Sequence, residues 1–70
     1  MAGLIKVEKL DRASNGRIVA TLDVRTSMGQ MMYPMQFDDQ GSMSANERQA
    51  FLELKQHLEE ALALVQHQLG

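Results

Sequence analysis

Residues 31–54 read MMYPMQFDDQGSMSANERQAFLEL and contain the change of hydrophobic period that decides the fold. Up to Phe37, every second residue is a large methionine or aromatic, which is typical of a strand with one buried face. Beyond residue 43, apolar residues recur at spacings of three and four, which is typical of a helix. We therefore predict a strand over residues 30–37 and a helix over about residues 45–69.

The two-residue alternation continues toward the N-terminus. Residues 17–26 alternate apolar and polar side chains, and residues 4–12 do so less regularly. Asn15 and Gly16 lie between these two segments and suit a tight turn. The pattern predicts an α+β fold in a single domain, residues 1–70: a three-stranded antiparallel β-meander followed by one long C-terminal α-helix (βββα).

The register of the first hairpin is open from sequence alone. A two-residue loop at Asn15 and Gly16 pairs Val7 with Val24, but it also places Glu8 opposite Asp23, and like charges that face each other destabilise a sheet. A three-residue loop with Gly16 in a bulge removes that clash and weakens the apolar match. We expect a bulge or a longer loop.

The start of the helix also has a sequence signal. Ser44 and Glu47 have the spacing of a capping box, in which the serine accepts from an early backbone N–H and the glutamate bonds back to the cap. Residues 38–41 precede it and are typical of a turn. We predict Ser44 as the N-cap.

Composition excludes several classes of protein. The net charge is −2, there is no cysteine, and no apolar run approaches the length of a membrane span. The N-terminal residues lack the basic and apolar regions of a signal peptide. We expect a cytoplasmic protein without a membrane contact and without a disulfide framework.

The predicted helix is too long for the predicted sheet. About 25 helical residues rise about 37 Å, whereas a strand of seven or eight residues extends only about 25 Å. A 70-residue chain also builds a small core, so we expect a homo-oligomer, most simply a dimer, in which a second copy covers the apolar part of the helix. The predicted self-association residues are Leu52, Leu58, Ala61, Leu62, Leu64, Val65 and Leu69.

Five of the six methionines fall between residues 28 and 43. Flexible, polarizable methionines suit adaptable binding surfaces, although they also fill small cores. Met32 points away from the predicted core and Met28 lies in a turn, so both are candidates for a partner contact. Pro34 cannot donate a ladder hydrogen bond and therefore indicates an edge strand, where it completes this partner-binding set.

No motif for catalysis, cofactor binding or metal binding is present. The chain has no cysteine nucleophile, no phosphate-binding glycine loop and no His-Glu-x-x-His pattern. Asp38, Gly41 and Glu47 match three positions of a calcium loop, but the other acidic ligands are missing. His57 and His67 are about 15 Å apart along the helix, so we expect solvated side chains. We predict no enzyme, no cofactor and no metal.

The sequence therefore favours a non-enzymatic protein–protein interaction module that acts as an inhibitor or adaptor of a larger, unidentified protein. Phage-encoded antagonists of host systems are one example of this class. The alternative is a nucleic-acid-associated accessory protein that uses the outer sheet face, with Arg17 and Arg25 as the phosphate contacts.

Overall fold

The computed structural model describes residues 3–70; Met1 and Ala2, with which the predicted domain begins, lie outside the described residues. The elements are β1 (Gly3–Arg12), β2 (Ile18–Thr26), β3 (Gly29–Phe37) and α1 (Met43–Leu69). The strands form one antiparallel sheet in the order β1-β2-β3. The βββα prediction is confirmed, and each boundary lies within two residues of its predicted position. As the single helix of residues 3–70, α1 is not apolar enough over a sufficient length to cross a bilayer.

The first hairpin has the three-residue loop with a bulge at Gly16. The Ala13 N–H donates to the Arg17 carbonyl at 2.8 Å, and the Gly16 N–H donates to the Ala13 carbonyl at 3.0 Å. Gly16 has φ 84°, a left-handed conformation that costs glycine little because it has no Cβ. The bulge expected from sequence is therefore confirmed.

A second irregularity at Glu8 restores the apolar match that the longer loop loses. The register shifts between Val7 and Lys9, so that Val7 pairs with Leu22. The same shift places Lys6 opposite Asp23, which is an attractive pair. Together, the two bulges satisfy both the apolar pattern and the charge pattern of β1.

The core lies between the inner face of the sheet and the first half of α1. The central strand β2 supplies most of it, because a middle strand is covered by a neighbour on each side and by the helix above. Apart from Phe37 at the end of β3, the side chains of β1 and β3 are at most partly buried at its margins. The buried apolar residues are Ile18, Ala20, Leu22, Val24, Phe37, Ala50 and Leu54.

The helix begins two residues earlier than predicted. Its N-cap is Ser42, in extended conformation, whose hydroxyl accepts from the Ala45 N–H at 3.1 Å. The preceding turn ends at Gly41, with φ 101°, so Ser42 is the first residue placed to cap. The predicted capping box of Ser44 and Glu47 is wrong, because both residues already lie inside the helix.

Only part of α1 lies on the sheet. Residues 43–54, which we name the docked half, contain all of its buried side chains: Asn46, Ala50 and Leu54. Residues 55–69, the free half, are exposed except for Ala61, which is half-buried. As expected from the length of the helix, the sheet does not cover all of it. Phe51 is 40% exposed, because the small Ala50 faces the sheet and turns Phe51 to the side.

Candidate functional site

An apolar groove of about 420 Å³ runs between the β1 edge of the sheet and the side of α1. Its floor includes Ile5, which is 41% exposed although it points toward the helix side of the sheet. The charged residues at the groove are Lys55 and Glu59, whose Nζ and Oε2 atoms are 3.2 Å apart. They pair with each other, so the groove presents an apolar surface with a neutralised rim.

The helical side of the groove belongs to a longer apolar stripe, which we name the apolar flank. Its members fall within roughly 60° of one another around the helix axis, at about 100° per residue. All five are exposed, and they extend from the docked half to the last turn of the helix. The apolar flank consists of Phe51, Leu58, Leu62, Val65 and Leu69.

The structure separates the predicted self-association residues into groups. Leu58, Leu62, Val65 and Leu69 belong to the apolar flank, and Ala61 faces the sheet side of the helix. Leu52 and Leu64 are also exposed, but each projects from a different side of α1. The sequence identified these seven residues but not which of them face the sheet, because that depends on how the helix docks.

The predicted partner-binding residues lie at the opposite edge of the sheet. Met28, at the tip of the second hairpin, is 94% exposed, and its N–H donates to the Thr26 hydroxyl at 3.1 Å. Met32 and Pro34 are two residues apart on β3, so both side chains lie on the outer face of the sheet, and both are exposed. Met28 instead lines a shallow pocket with Val24 and Met31, on the helix side of the sheet, so the structure does not bring all three predicted residues together on one face.

The outer face of the sheet contains a buried carboxylate that the sequence did not predict. Asp23 is 1% exposed. Its carboxylate accepts from Gln30 Nε2 at 3.0 Å and pairs with Arg25 Nη2 at 3.1 Å. The Gln30 hydrogen bond and the Arg25 charge hold the pKa of Asp23 below its ordinary value, against the opposing effect of burial. The available signal was the Asp-x-Arg spacing, which puts both side chains on one face of a strand.

The two arginines of the nucleic-acid alternative are both paired with aspartates. Arg25 bonds to Asp23, and Arg17 Nε lies 3.7 Å from an Asp38 carboxylate oxygen. An arginine matched by a carboxylate attracts a phosphate backbone less than a free one. The structure therefore supplies two arginines at this surface but little net positive charge.

A polar cluster fastens the turn before the helix to the sheet. The Asp39 carboxylate pairs with Arg12 Nη2 at 2.6 Å and accepts from the Gly41 N–H at 2.9 Å. Asn46, which is buried, donates to Asp39 and accepts from the Gln40 N–H at 2.7 Å. The Gly41 and Asn46 hydrogen bonds, followed by the Arg12 charge, lower the pKa of Asp39. These groups satisfy one another, so we assign the cluster a structural role.

The titratable side chains of residues 3–70 do not form a metal-binding group of three or more histidine, aspartate or glutamate residues. His57 is exposed, and its ring packs on Tyr33 with the centroids 4.8 Å apart, at the place where the helix leaves the sheet. Comparison with protein-family models, curated proteins and solved structures returns no match.

Proposed function

We propose that this chain is a small non-enzymatic protein–protein interaction module that forms a homodimer through its apolar flank. In this proposal the dimer acts as an inhibitor or adaptor of a larger protein. The supporting observation is the uncovered apolar flank, which begins beside the core and continues past the end of the sheet.

The size of the flank supports a stable contact. Complete burial of one leucine or phenylalanine side chain contributes about 1.5–3 kcal/mol. Five such residues, each with a large exposed fraction, therefore leave several kcal/mol of hydrophobic free energy unused in a single copy. Contiguous exposed apolar surface of this kind is typical of interaction sites.

A second copy is the occupant that the geometry favours. Two copies related by a two-fold axis present the same flank to each other, so both become covered at once. The rim charges Lys55 and Glu59 already neutralise each other within one chain and do not repel the second copy. The docked half keeps its contacts with the sheet, so the dimer requires no rearrangement of the fold.

The β3 edge, with Met32 and Pro34 on its outer face and Met28 in the hairpin that leads into it, is the candidate contact for a different protein. It lies away from the groove. A two-fold dimer presents it twice, which suits an adaptor or an inhibitor that engages its target at two points.

Sedimentation equilibrium of the wild type and two matched leucine variants tests the proposal. Leu62→Glu places a charge within the apolar flank, whereas Leu64→Glu places the same charge roughly 160° away around the helix. We expect a wild-type dimer, a monomer for Leu62→Glu, and a dimer for Leu64→Glu. Circular dichroism checks that both variants keep the wild-type fold.

Two outcomes would contradict the proposal. A wild-type chain that remains monomeric at all accessible concentrations rules out self-association. If Leu64→Glu dissociates the dimer as strongly as Leu62→Glu, the flank is not the contact, because the two sides of the helix then contribute equally.

A further inference from the structure

The open edge of β1 adjoins the apolar flank. Ile5 lies on this edge and forms the floor of the groove, while Phe51, Leu58 and Leu62 form its helical wall. A partner that covers the flank from this side therefore also meets the unpaired main chain of β1. This juxtaposition distinguishes the β1 edge from any other part of the sheet margin.

The ladder pattern shows which β1 amides face the open edge. Pro34, opposite Thr21, has no N–H, so Thr21 directs its main-chain hydrogen bonds to β1 instead of β3. Because the main-chain hydrogen bonds of successive β2 residues alternate between the two neighbouring strands, those of Asp23 and Arg25 also point toward β1. Their β1 partners Lys6 and Leu4 are bonded inward, which leaves the N–H and carbonyl groups of Ile5 and Val7 directed outward.

The two edges of the sheet differ in their capacity to pair. Pro34 interrupts the outward-facing groups of β3 at the middle of that strand. On β1 the register shifts at Glu8, and residues 3–7 form an uninterrupted, regularly paired segment. An exposed segment of this kind is a template for another strand.

We propose that residues 3–7 pair antiparallel with the same segment of a second copy, centred on Ile5, to form a six-stranded sheet with both helices on one face. This arrangement rests on the proposed self-association and specifies its geometry. Ile5 then meets Ile5 of the second copy beneath the two flanks, and Leu4 lies opposite Lys6, so no like charges face each other. Pairing centred on Lys6 would instead place the two Lys6 side chains opposite each other. It would also place at the two-fold axis the main-chain groups of Lys6, which are already bonded to β2.

The spacing of the helices agrees with the width of the groove. Two helices, each above its own β2, are separated by three strand spacings, or about 14 Å. Direct helix packing requires about 8–10 Å, so large side chains must fill the gap. Phe51, Leu58 and Leu62 are large, project toward this gap and line the empty groove of each copy.

Amide hydrogen exchange on the intact dimer tests the edge pairing. The outward amides of Ile5 and Val7 are expected to exchange at least about 100-fold more slowly than those of Met32 and Gln36, which face outward from β3. If Ile5 and Val7 exchange as fast as Met32 and Gln36 in a sample that is dimeric by sedimentation, the edge pairing is overturned and the proposed function stands. A monomeric wild type overturns both.

A matched pair of lysine variants gives a second readout. Ile5 and Met31 flank Val24 from opposite sides and are 41% and 43% exposed, so they are equivalent positions on the two edges. Ile5→Lys places two charges at the proposed axis and is expected to raise the dimer Kd at least about 100-fold. Met31→Lys is expected to change it less than about threefold. Equal effects of the two variants would overturn the proposal.

Discussion

The two halves of α1 have similar numbers of apolar residues but differ in how many of them are buried. The docked half buries Ala50 and Leu54 against the sheet and begins at a satisfied network around Asn46. The free half carries Leu58 and Leu62 beside Ile5 at the β1 edge, where both leucine side chains remain exposed. One continuous helix therefore stabilises the fold with its first half and leaves apolar surface exposed with its second half.

Truncation of one leucine in each half gives the largest contrast. Leu54→Ala removes a buried side chain and is expected to lower the free energy of unfolding by about 2–5 kcal/mol. Leu64→Ala, in the free half and outside the apolar flank, is expected to change it by less than about 0.5 kcal/mol. Urea unfolding of both variants at one chain concentration measures the difference. Similar costs for the two substitutions would contradict the division of the helix.

Acidification is expected to weaken the docked half through Asp39. The pKa of Asp39 in the folded chain lies below its ordinary value of 3.8, so the unfolded chain takes up the proton first as the pH falls. The stabilisation is therefore complete above about pH 5 and decreases as the pH falls below about 4. Asp23, whose pKa is also lowered, adds to the same loss.

Asparagine variants isolate the Asp39 contribution. Asp39→Asn is expected to be less stable than the wild type near neutral pH and to lose less further stability on acidification. Asp11→Asn, at an exposed position whose ion pair with Lys9 spans 3.8 Å, is the control and should keep the wild-type stability near neutral pH. Urea unfolding over a series of pH values measures both. A wild-type slope in Asp39→Asn would contradict the role given to this carboxylate.

The order and type of the elements could be predicted because each depends on a local period. Alternation identifies the strands, and the change near residue 43 identifies the helix. The bulge at Gly16 was also predictable, because a tight two-residue loop would place Glu8 opposite Asp23. The compensating bulge at Glu8 was not, because it depends on matching two strands along their whole length.

The side of the helix that docks could not be predicted from the sequence. Its apolar sector is wide, so that either Ala50 or Phe51 could have faced the sheet. The choice follows from close packing, since alanine allows the helix to approach β2 whereas phenylalanine does not. The same choice turns the apolar flank toward Ile5 and creates the groove. The burial of Asp23 could not be predicted for a related reason, because it depends on Gln30 of the next strand.

A single copy leaves the free half of its helix largely exposed, and we propose that a second copy covers it. The most direct test is the thermal unfolding midpoint as a function of chain concentration. Because a dimer gains stability by mass action, each tenfold increase in concentration is expected to raise the midpoint by about 5 °C. A midpoint that stays constant over a hundredfold range of concentration would contradict the account.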